Sequence, residues 1–107
     1  MPTVPEDIFI EGIKTIVDID RQWVPKNYGT SLYIRPTMFA TEEAISARSA
    51  NEFMFVVLLS YAPAYYDKPL SVKIADYYSR SAQGGVGFAK CAGNYAASFF
   101  DDTWINI

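Results

Sequence analysis

The segment from Phe53 to Ser60 constrains the fold of this chain more than any other. FMFVVLL is an uninterrupted apolar run, rich in β-branched and aromatic residues, that follows Glu52 and ends at a serine. A run of this length and composition is typical of a strand, and it is far too short to span a bilayer. We therefore predict a hydrophobic strand over Phe53–Ser60 that is buried on both faces, and no membrane partner.

A second strand is predicted over Thr30–Ala40, where successive side chains fall on opposite faces. Tyr33 and Arg35 stand two positions apart in this segment and therefore share one face of the strand. Pro36 has no amide N–H, which indicates an edge strand or a bulge at that position.

The remaining segments complete an α+β fold prediction with few helices. A capping box that starts at Thr3 precedes apolar residues at helical spacing over Glu6–Arg21. We also predict a short strand over Leu70–Ala75 and the start of a helix in Asn94–Phe100. The two lobes of such a chain meet near residues 66–69, where the composition is typical of a linker.

The composition excludes several kinds of function. The 107 residues suffice for one small domain or a piece of a larger protein, and a net charge of −3 with scattered Lys and Arg argues against a nucleic-acid partner. With no histidine and with Cys91 as the one cysteine, the chain offers no Ser-His-Asp or Cys-His pair and no ordinary metal site. The lone cysteine fits a reducing, cytoplasmic location, and we expect Cys91 to be a small buried residue.

Lys90 stands among small residues in GFAKCAGNYAAS, residues 87–98, within the part of the chain that is richest in glycine. A solvated surface lysine is the ordinary interpretation. A phosphate loop requires Gly-Lys-Ser/Thr, and Ala89 and Cys91 do not match it. A lysine that forms a Schiff base is the third interpretation, because small neighbours let a flat cofactor ring approach the backbone. The residues alone leave the first and third interpretations open.

Three further side chains are candidates for a site. Tyr33 and Arg35 form either a surface ladder, with Arg35 paired to a carboxylate, or a phenol and a guanidinium that face a cavity together. In the second case the guanidinium can bind a carboxylate in bidentate fashion. Tyr95, five residues after Lys90, is either a core aromatic or a hydroxyl that contacts a cofactor oxygen beside the lysine.

Two motifs of this chain together resemble those of a known enzyme family. SLYIRP, residues 31–36, followed by GFAKCAGNYAAS closely resembles branched-chain amino acid aminotransferases, which are fold-type IV enzymes that use pyridoxal 5′-phosphate (PLP). DRQWVP, residues 20–25, and GGVG, residues 84–87, are also similar to that family. The resemblance extends from about residue 5 to residue 98 and implies a fold-type IV architecture.

The resemblance implies a role for each candidate residue. Lys90 corresponds to the lysine that forms the Schiff base with PLP and moves the α-proton, and Tyr95 to the tyrosine that binds the phenolic oxygen of the cofactor. Tyr33 corresponds to a tyrosine of the substrate pocket, and Arg35 to the arginine that binds the side-chain carboxylate of glutamate or 2-oxoglutarate. The implied reaction moves the amino group of leucine, isoleucine or valine to 2-oxoglutarate.

The resemblance also implies the domain organisation. Residues 1–65 correspond to part of a small N-terminal α+β domain, 66–69 to the interdomain linker, and 70–107 to the start of the PLP-binding domain. Family members usually form homodimers, so a homo-oligomer is expected.

The chain also departs from the family pattern. The family's phosphate-binding arginine and its glutamate for the pyridine nitrogen are expected to lie outside residues 1–107, and the tail after Ser98 is not family-like. We therefore expect this chain alone to be nearly inactive, and a self-associating fragment is the alternative. A D-amino acid aminotransferase or an aminodeoxychorismate lyase is less favoured, because the strand Tyr33–Pro36 matches the branched-chain enzymes better.

Overall fold

The computed structural model describes residues 1–64, 66, 68–72 and 74–99. The chain divides into two compact units, Met1–Lys68 and Pro69–Ile107. The described elements of the first unit are one α-helix, a short 3-10 helix and two antiparallel strands, and the second unit contains a 3-10 helix over Ala92–Tyr95. The predicted α+β class is confirmed. None of the described helices has the length and apolar character needed to cross a membrane.

Helix α1 spans Glu6–Ile19, two residues shorter at its end than predicted. The chain tightens after Asp20 into a 3-10 turn over Arg21–Trp23. Pro5 is the N-cap, and no side chain caps the helix, so the predicted capping box is wrong. The reason is geometric: Thr3 stands two residues before the cap, whereas a capping side chain must belong to the N-cap residue itself.

Strand β1 spans Ser31–Ala40, and strand β2 spans Phe53–Ala62. They pair antiparallel, from Ser31 opposite Ala62 to Ala40 opposite Phe53. These two strands form a two-stranded sheet, so β1 has an outer edge in the described part of the chain. The proline in β1 is accommodated at such an edge, as its missing N–H predicts.

Helix α1 packs against one face of the hairpin. A Cβ built on Gly12 would lie 3.7 Å from Cγ2 of Val57, and the rings of Phe9 and Phe55 have centroids 5.7 Å apart. Val57 and Phe55 lie on the same face because residues two apart in a strand share a face. By the same alternation and the register of the strands, Tyr33 and Arg35 lie on the opposite face.

Strand β2 is not buried on both faces, and that prediction is wrong. Met54 is 49% exposed and Leu58 is 52% exposed, whereas Phe55 and Val57 are half-buried. A two-stranded sheet with one helix buries only the face that the helix covers. On the other face of β2, Met54 and Leu58 stay exposed although they are apolar.

In the second unit, the predicted strand over Leu70–Ala75 is wrong. The described residues of 70–75 form no strand, and their apolar members are exposed, Val72 at 90% and Ile74 at 85%. A short apolar segment becomes a strand only where another strand offers backbone partners. The predicted start of a helix within Asn94–Phe100 agrees with the described residues, because Ser98 and Phe99 are helical. A 3-10 helix over Ala92–Tyr95, with Cys91 as its N-cap in place of the predicted Gly93 or Asn94, precedes them. Residue 100 and the tail 101–107 lie outside the described residues.

Candidate active site

Lys90 belongs to a segment of the second unit, residues 79–95, that we call the glycine loop. The loop reverses direction at Gly84, which has φ +74°. L-residues with a side chain rarely adopt this conformation, and glycine adopts it without steric cost. The N–H of Gly85 donates to the carbonyl of Ala82 at 3.1 Å and closes the turn.

The two limbs of the glycine loop touch at Gly87. A Cβ built on Gly87 would lie 2.6 Å from Oγ of Ser81, which is closer than real Cβ contacts allow. Ser81 is itself held by Ser79, whose hydroxyl donates to the Ser81 carbonyl at 3.1 Å and accepts its N–H at 3.2 Å. The absence of a side chain at Gly87 is therefore what allows this approach.

Asn94 fixes the backbone on the N-terminal side of Lys90. Its half-buried side-chain amide donates to the carbonyls of Val86, at 2.9 Å, and Ala89, at 2.8 Å. An asparagine amide has two N–H donors, and these two carbonyls account for both. Because Ala89 directly precedes Lys90, this contact fixes the direction in which the lysine leaves the loop.

Lys90 and Tyr95 contact each other through their polar ends. The Nζ of Lys90 donates to Oη of Tyr95 at 2.9 Å and lies 4.3 Å from the centroid of the tyrosine ring. Lys90 is exposed, as a surface lysine would be, but its partner is a phenol. In the described part of the chain it forms no ion pair with a carboxylate. Cys91, beside it, is exposed and not buried as predicted.

The contact changes the acidity of the phenol. The pKa of Tyr95 lies below its ordinary value, chiefly because Lys90 donates a hydrogen bond to the phenol oxygen. Partial burial acts in the opposite direction, whereas the positive charges of Lys90 and Arg80 and a hydrogen bond from Arg80 also lower the pKa. The phenolate form of Tyr95 is thus easier to reach than that of a free tyrosine.

Arg80 is a member of this cluster that the sequence analysis missed. Its Nη1 donates to the carbonyl of Gly87 at 3.3 Å, and its Cζ lies 5.9 Å from the centroid of the Tyr95 ring. Two features of the sequence could have indicated its role. Arg80 stands shortly before the glycine-rich stretch, and its side chain is long enough to reach back to that stretch.

Tyr33 and Arg35 contact each other in the first unit, on the face of β1 that α1 does not cover. The Cζ of Arg35 lies 5.1 Å from the centroid of the Tyr33 ring. Among the described residues no carboxylate pairs with Arg35, so the surface ladder with an acidic partner is not what the structure shows. Its guanidinium keeps both donor edges for a carboxylate. Each candidate pair is thus formed within its own unit.

A second polar cluster, also missed from sequence, orders the connection between β1 and β2. The carboxylate of Glu42 accepts hydrogen bonds from Arg48 at 2.6 and 3.1 Å and from the backbone N–H of Asn51 at 2.7 Å. These bonds hold the pKa of Glu42 below its ordinary value, with the Arg48 bond as the largest cause. No described group of acidic or cysteine side chains has the arrangement of a metal site.

Comparisons with known proteins identify relatives of the whole segment. A probable branched-chain-amino-acid aminotransferase of Staphylococcus epidermidis is 46% identical to this chain over 110 residues, which cover 99% of the chain and 31% of the relative. Branched-chain-amino-acid transaminase 1 of Bacillus subtilis is 43% identical over 102 residues, 92% of the chain and 29% of the relative. A branched-chain-amino-acid aminotransferase of Mycolicibacterium smegmatis is 42% identical over the same share of the chain.

This chain is much shorter than the relatives that it matches. The chain spans 28 to 31% of the length of these curated relatives. No family model matches the chain. The similarity in sequence therefore covers nearly all of this chain and less than a third of each relative.

Proposed function

Because this chain is homologous over 92 to 99% of its length to proteins named branched-chain-amino-acid aminotransferase, we propose that it carries the reactive lysine and part of the substrate site of such an enzyme. The proposed reaction transfers the amino group of leucine, isoleucine or valine to 2-oxoglutarate. The observation that carries the proposal is the 2.9 Å contact from Lys90 Nζ to Tyr95 Oη, inside the homologous segment.

The groups at Lys90 fit PLP as a cofactor. An aldehyde of this kind requires an accessible primary amine, and Lys90 is exposed. A phenol beside the amine suits the ring oxygen of the cofactor, and Tyr95 is in that position. A Cβ built on Gly93 meets no atom within 4 Å, so the backbone next to the pair borders open space. When bound, PLP supplies an electron sink that makes the α-proton of an amino acid acidic.

The protein's own groups then have separable tasks. Lys90 would hold the cofactor covalently and, once released as a free amine, would accept the α-proton at Nζ and return it to the neighbouring carbon. Tyr95 would orient the cofactor ring through its oxygen. Asn94 would keep the lysine in place by fixing the backbone at Ala89.

Tyr33 and Arg35 are proposed as substrate-binding residues. An amino acceptor with a second carboxylate requires a cation, and a branched aliphatic donor requires an apolar surface. Arg35 provides the cation, and its opposite neighbour in the hairpin is Leu58, an exposed apolar side chain. This combination accommodates both kinds of substrate on one face of the sheet.

Reductive trapping tests the proposal. The chain is mixed with PLP, reduced with borohydride and digested, and the labelled lysines are located by mass spectrometry. We expect a phosphopyridoxyl group mainly on Lys90, abolished in Lys90→Ala and retained in Lys26→Ala, where the lysine of the turn before β1 is removed. Equal labelling of Lys26 and Lys90 would contradict the assignment. Leucine-dependent formation of glutamate from 2-oxoglutarate tests the reaction itself.

A second candidate function is self-association without catalysis. It is favoured by one observation: none of the described residues is fully buried, and many large apolar side chains are exposed. A chain of this kind covers its apolar surface by binding copies of itself. Trapping at Lys90 with no turnover would favour this candidate, whereas turnover of a D-amino acid or of aminodeoxychorismate would favour another fold-type IV activity. The homodimer and the cytoplasmic location stay predictions.

A further inference from the structure

Arg80 has no part in the function proposed above, yet it contacts the same cluster. It donates to the Gly87 carbonyl at 3.3 Å, and its Cζ is 5.9 Å from the centroid of the Tyr95 ring. On the other side of the cluster, Lys90 Nζ lies 2.9 Å from the Tyr95 oxygen. One phenol is therefore close to two cations. A guanidinium keeps its charge at every physiological pH, whereas an ammonium can lose its charge.

We propose that Arg80 is a positioning residue for Lys90: by binding the Gly87 carbonyl it holds a permanent positive charge beside Tyr95, which keeps the phenolate form of Tyr95 accessible as the acceptor of a proton from Lys90. The inference rests on the proposed function, in which Lys90 must act as a free amine. It assigns to Tyr95 a second task besides contacting the cofactor.

The proton transfer balances without a further reactant. A lysine ammonium has no free electron pair, so it must lose one proton before it can attack a carbonyl carbon. One proton moves along the 2.9 Å hydrogen bond from Lys90 Nζ to the oxygen of a Tyr95 phenolate. The products are a neutral amine and a neutral phenol, and the total charge of the pair does not change.

After the proton transfer Lys90 is neutral, whereas Arg80 keeps its positive charge. In the described part of the chain, Lys90 and Arg80 are the charged groups that lower the pKa of Tyr95. Once Lys90 has lost its proton, its own charge no longer favours the phenolate, but that of Arg80 persists. Arg80 therefore lets Tyr95 release the proton to solvent and become a phenolate again.

Two substitutions separate the charge of Arg80 from its hydrogen bond. Arg80→Lys keeps the charge, and Arg80→Gln keeps an N–H donor for the Gly87 carbonyl without the charge. The chain is labelled with tyrosine carrying ¹³C at Cζ, without added cofactor, and Tyr95→Phe identifies the signal of Tyr95. We expect the pKa of Tyr95 to rise in Arg80→Gln and to rise much less in Arg80→Lys.

The proposal requires the pKa of Tyr95 to be highest in Arg80→Gln, lower in Arg80→Lys and lowest in the unchanged chain, and any other order would overturn it. An equal rise in both variants would show that Arg80 acts only through the geometry of the loop, and no rise in either would show that its charge does not reach Tyr95. Arg21→Gln is the matched control, since it removes a guanidinium that Asp18 binds in the first unit, and the Tyr95 signal should not change. Backbone amide spectra check that each variant is folded.

The result is independent of the trapping experiment. If PLP does not label Lys90 but the order of the pKa values is as expected, the proposed aminotransferase function is rejected and the charge effect of Arg80 stands. If labelling succeeds and the order fails, only the role of Arg80 is rejected.

Discussion

Individual polar side chains, not a packed core, hold both ordered loops of this chain. Asn94 binds two carbonyls of the glycine loop, and Glu42 binds Arg48 and Asn51 in the connection between the strands. Each is a short side chain with several hydrogen bonds, so one substitution removes several contacts at once. Because Glu42 is ionised, its contacts also depend on pH.

We predict that acid weakens the connection between β1 and β2 through Glu42. Its pKa in the folded chain is below the ordinary value of 4.5, so the stabilisation is fully present above that value and is lost as the pH falls through the lower folded value. The amide proton shift of Asn51, measured by NMR against pH, should follow this titration. Glu42→Gln should abolish it and should lower the urea midpoint at neutral pH.

Glu43→Gln is the matched control for this prediction. Glu43 is the exposed neighbour of Glu42 and forms no ion pair in the part of the chain that the structure describes. The Asn51 titration should persist in that variant. If it disappears in both variants, or in neither, Glu42 does not hold the connection.

At the scale of elements, two glycines of the first unit differ in whether the backbone needs a glycine at that position. Gly12 lies inside α1, where a Cβ would make an ordinary contact with Val57 at 3.7 Å. Gly29 precedes β1 with φ +77°, a conformation that side chains disfavour. Glycine therefore weakens the helix at the first position and permits the turn at the second.

The same substitution should consequently change stability in opposite directions. Gly12→Ala should raise the free energy of unfolding by roughly 0.5–1 kcal/mol through helix propensity. Gly29→Ala should lower it by about 1 kcal/mol because the left-handed conformation becomes strained. Urea denaturation followed by circular dichroism measures both. If both variants changed the free energy of unfolding in the same direction, the local conformation at Gly12 or at Gly29 would not have the effect on stability described here.

The elements also show what the sequence could and could not predict. The two strands of the hairpin were predicted within two residues of their ends, because alternation and apolar composition are local properties. The burial of β2 on both faces was wrong, since burial depends on what packs against a sheet. The capping box failed because Pro5 takes the cap position. The Leu70–Ala75 segment failed because a strand requires a partner.

The candidate site, too, was predicted from the sequence in some respects and not in others. Small residues around Lys90 indicated an open loop, and the spacing of Tyr33 and Arg35 placed them on one face. The contacts of Arg80 were not predicted, because they depend on how the glycine loop folds back on itself. No periodic pattern in the sequence encodes the path of such a loop. The assignment of roles to these residues came from family resemblance and stays a prediction.

At the scale of the whole molecule, the open face of the hairpin is the prominent apolar surface of the first unit. It contains four partly exposed side chains: Tyr33 at 38%, Phe39 at 44%, Met54 at 49% and Leu58 at 52%. They share one face by the register of the strands. Arg35 lies on the same face, opposite Leu58. Exposed apolar side chains that are grouped on one face favour association.

We predict that Leu58→Lys reduces self-association. A second positive charge on this face, opposite Arg35, must stay hydrated, so it opposes contact between two such surfaces. Sedimentation velocity over a range of concentrations should show a shift toward the monomer. Thr15→Lys adds the same charge on an exposed position of α1 and should leave the association unchanged. Equal dissociation in both variants would mean that net charge, and not this face, controls assembly.

The short range of three hydrogen bonds in the glycine loop has a consequence for the order in which the chain folds. The bonds from Arg80 to Gly87, from Asn94 to Val86 and from Lys90 to Tyr95 each join residues five to eight positions apart. In the hairpin even the nearest pair, Ala40 and Phe53, is farther apart along the chain. Closing a short loop costs less chain entropy and is faster than closing a long one. We therefore expect the amine and the phenol to meet early, before the strands pair, so that the reactive group is assembled first and the hairpin afterwards.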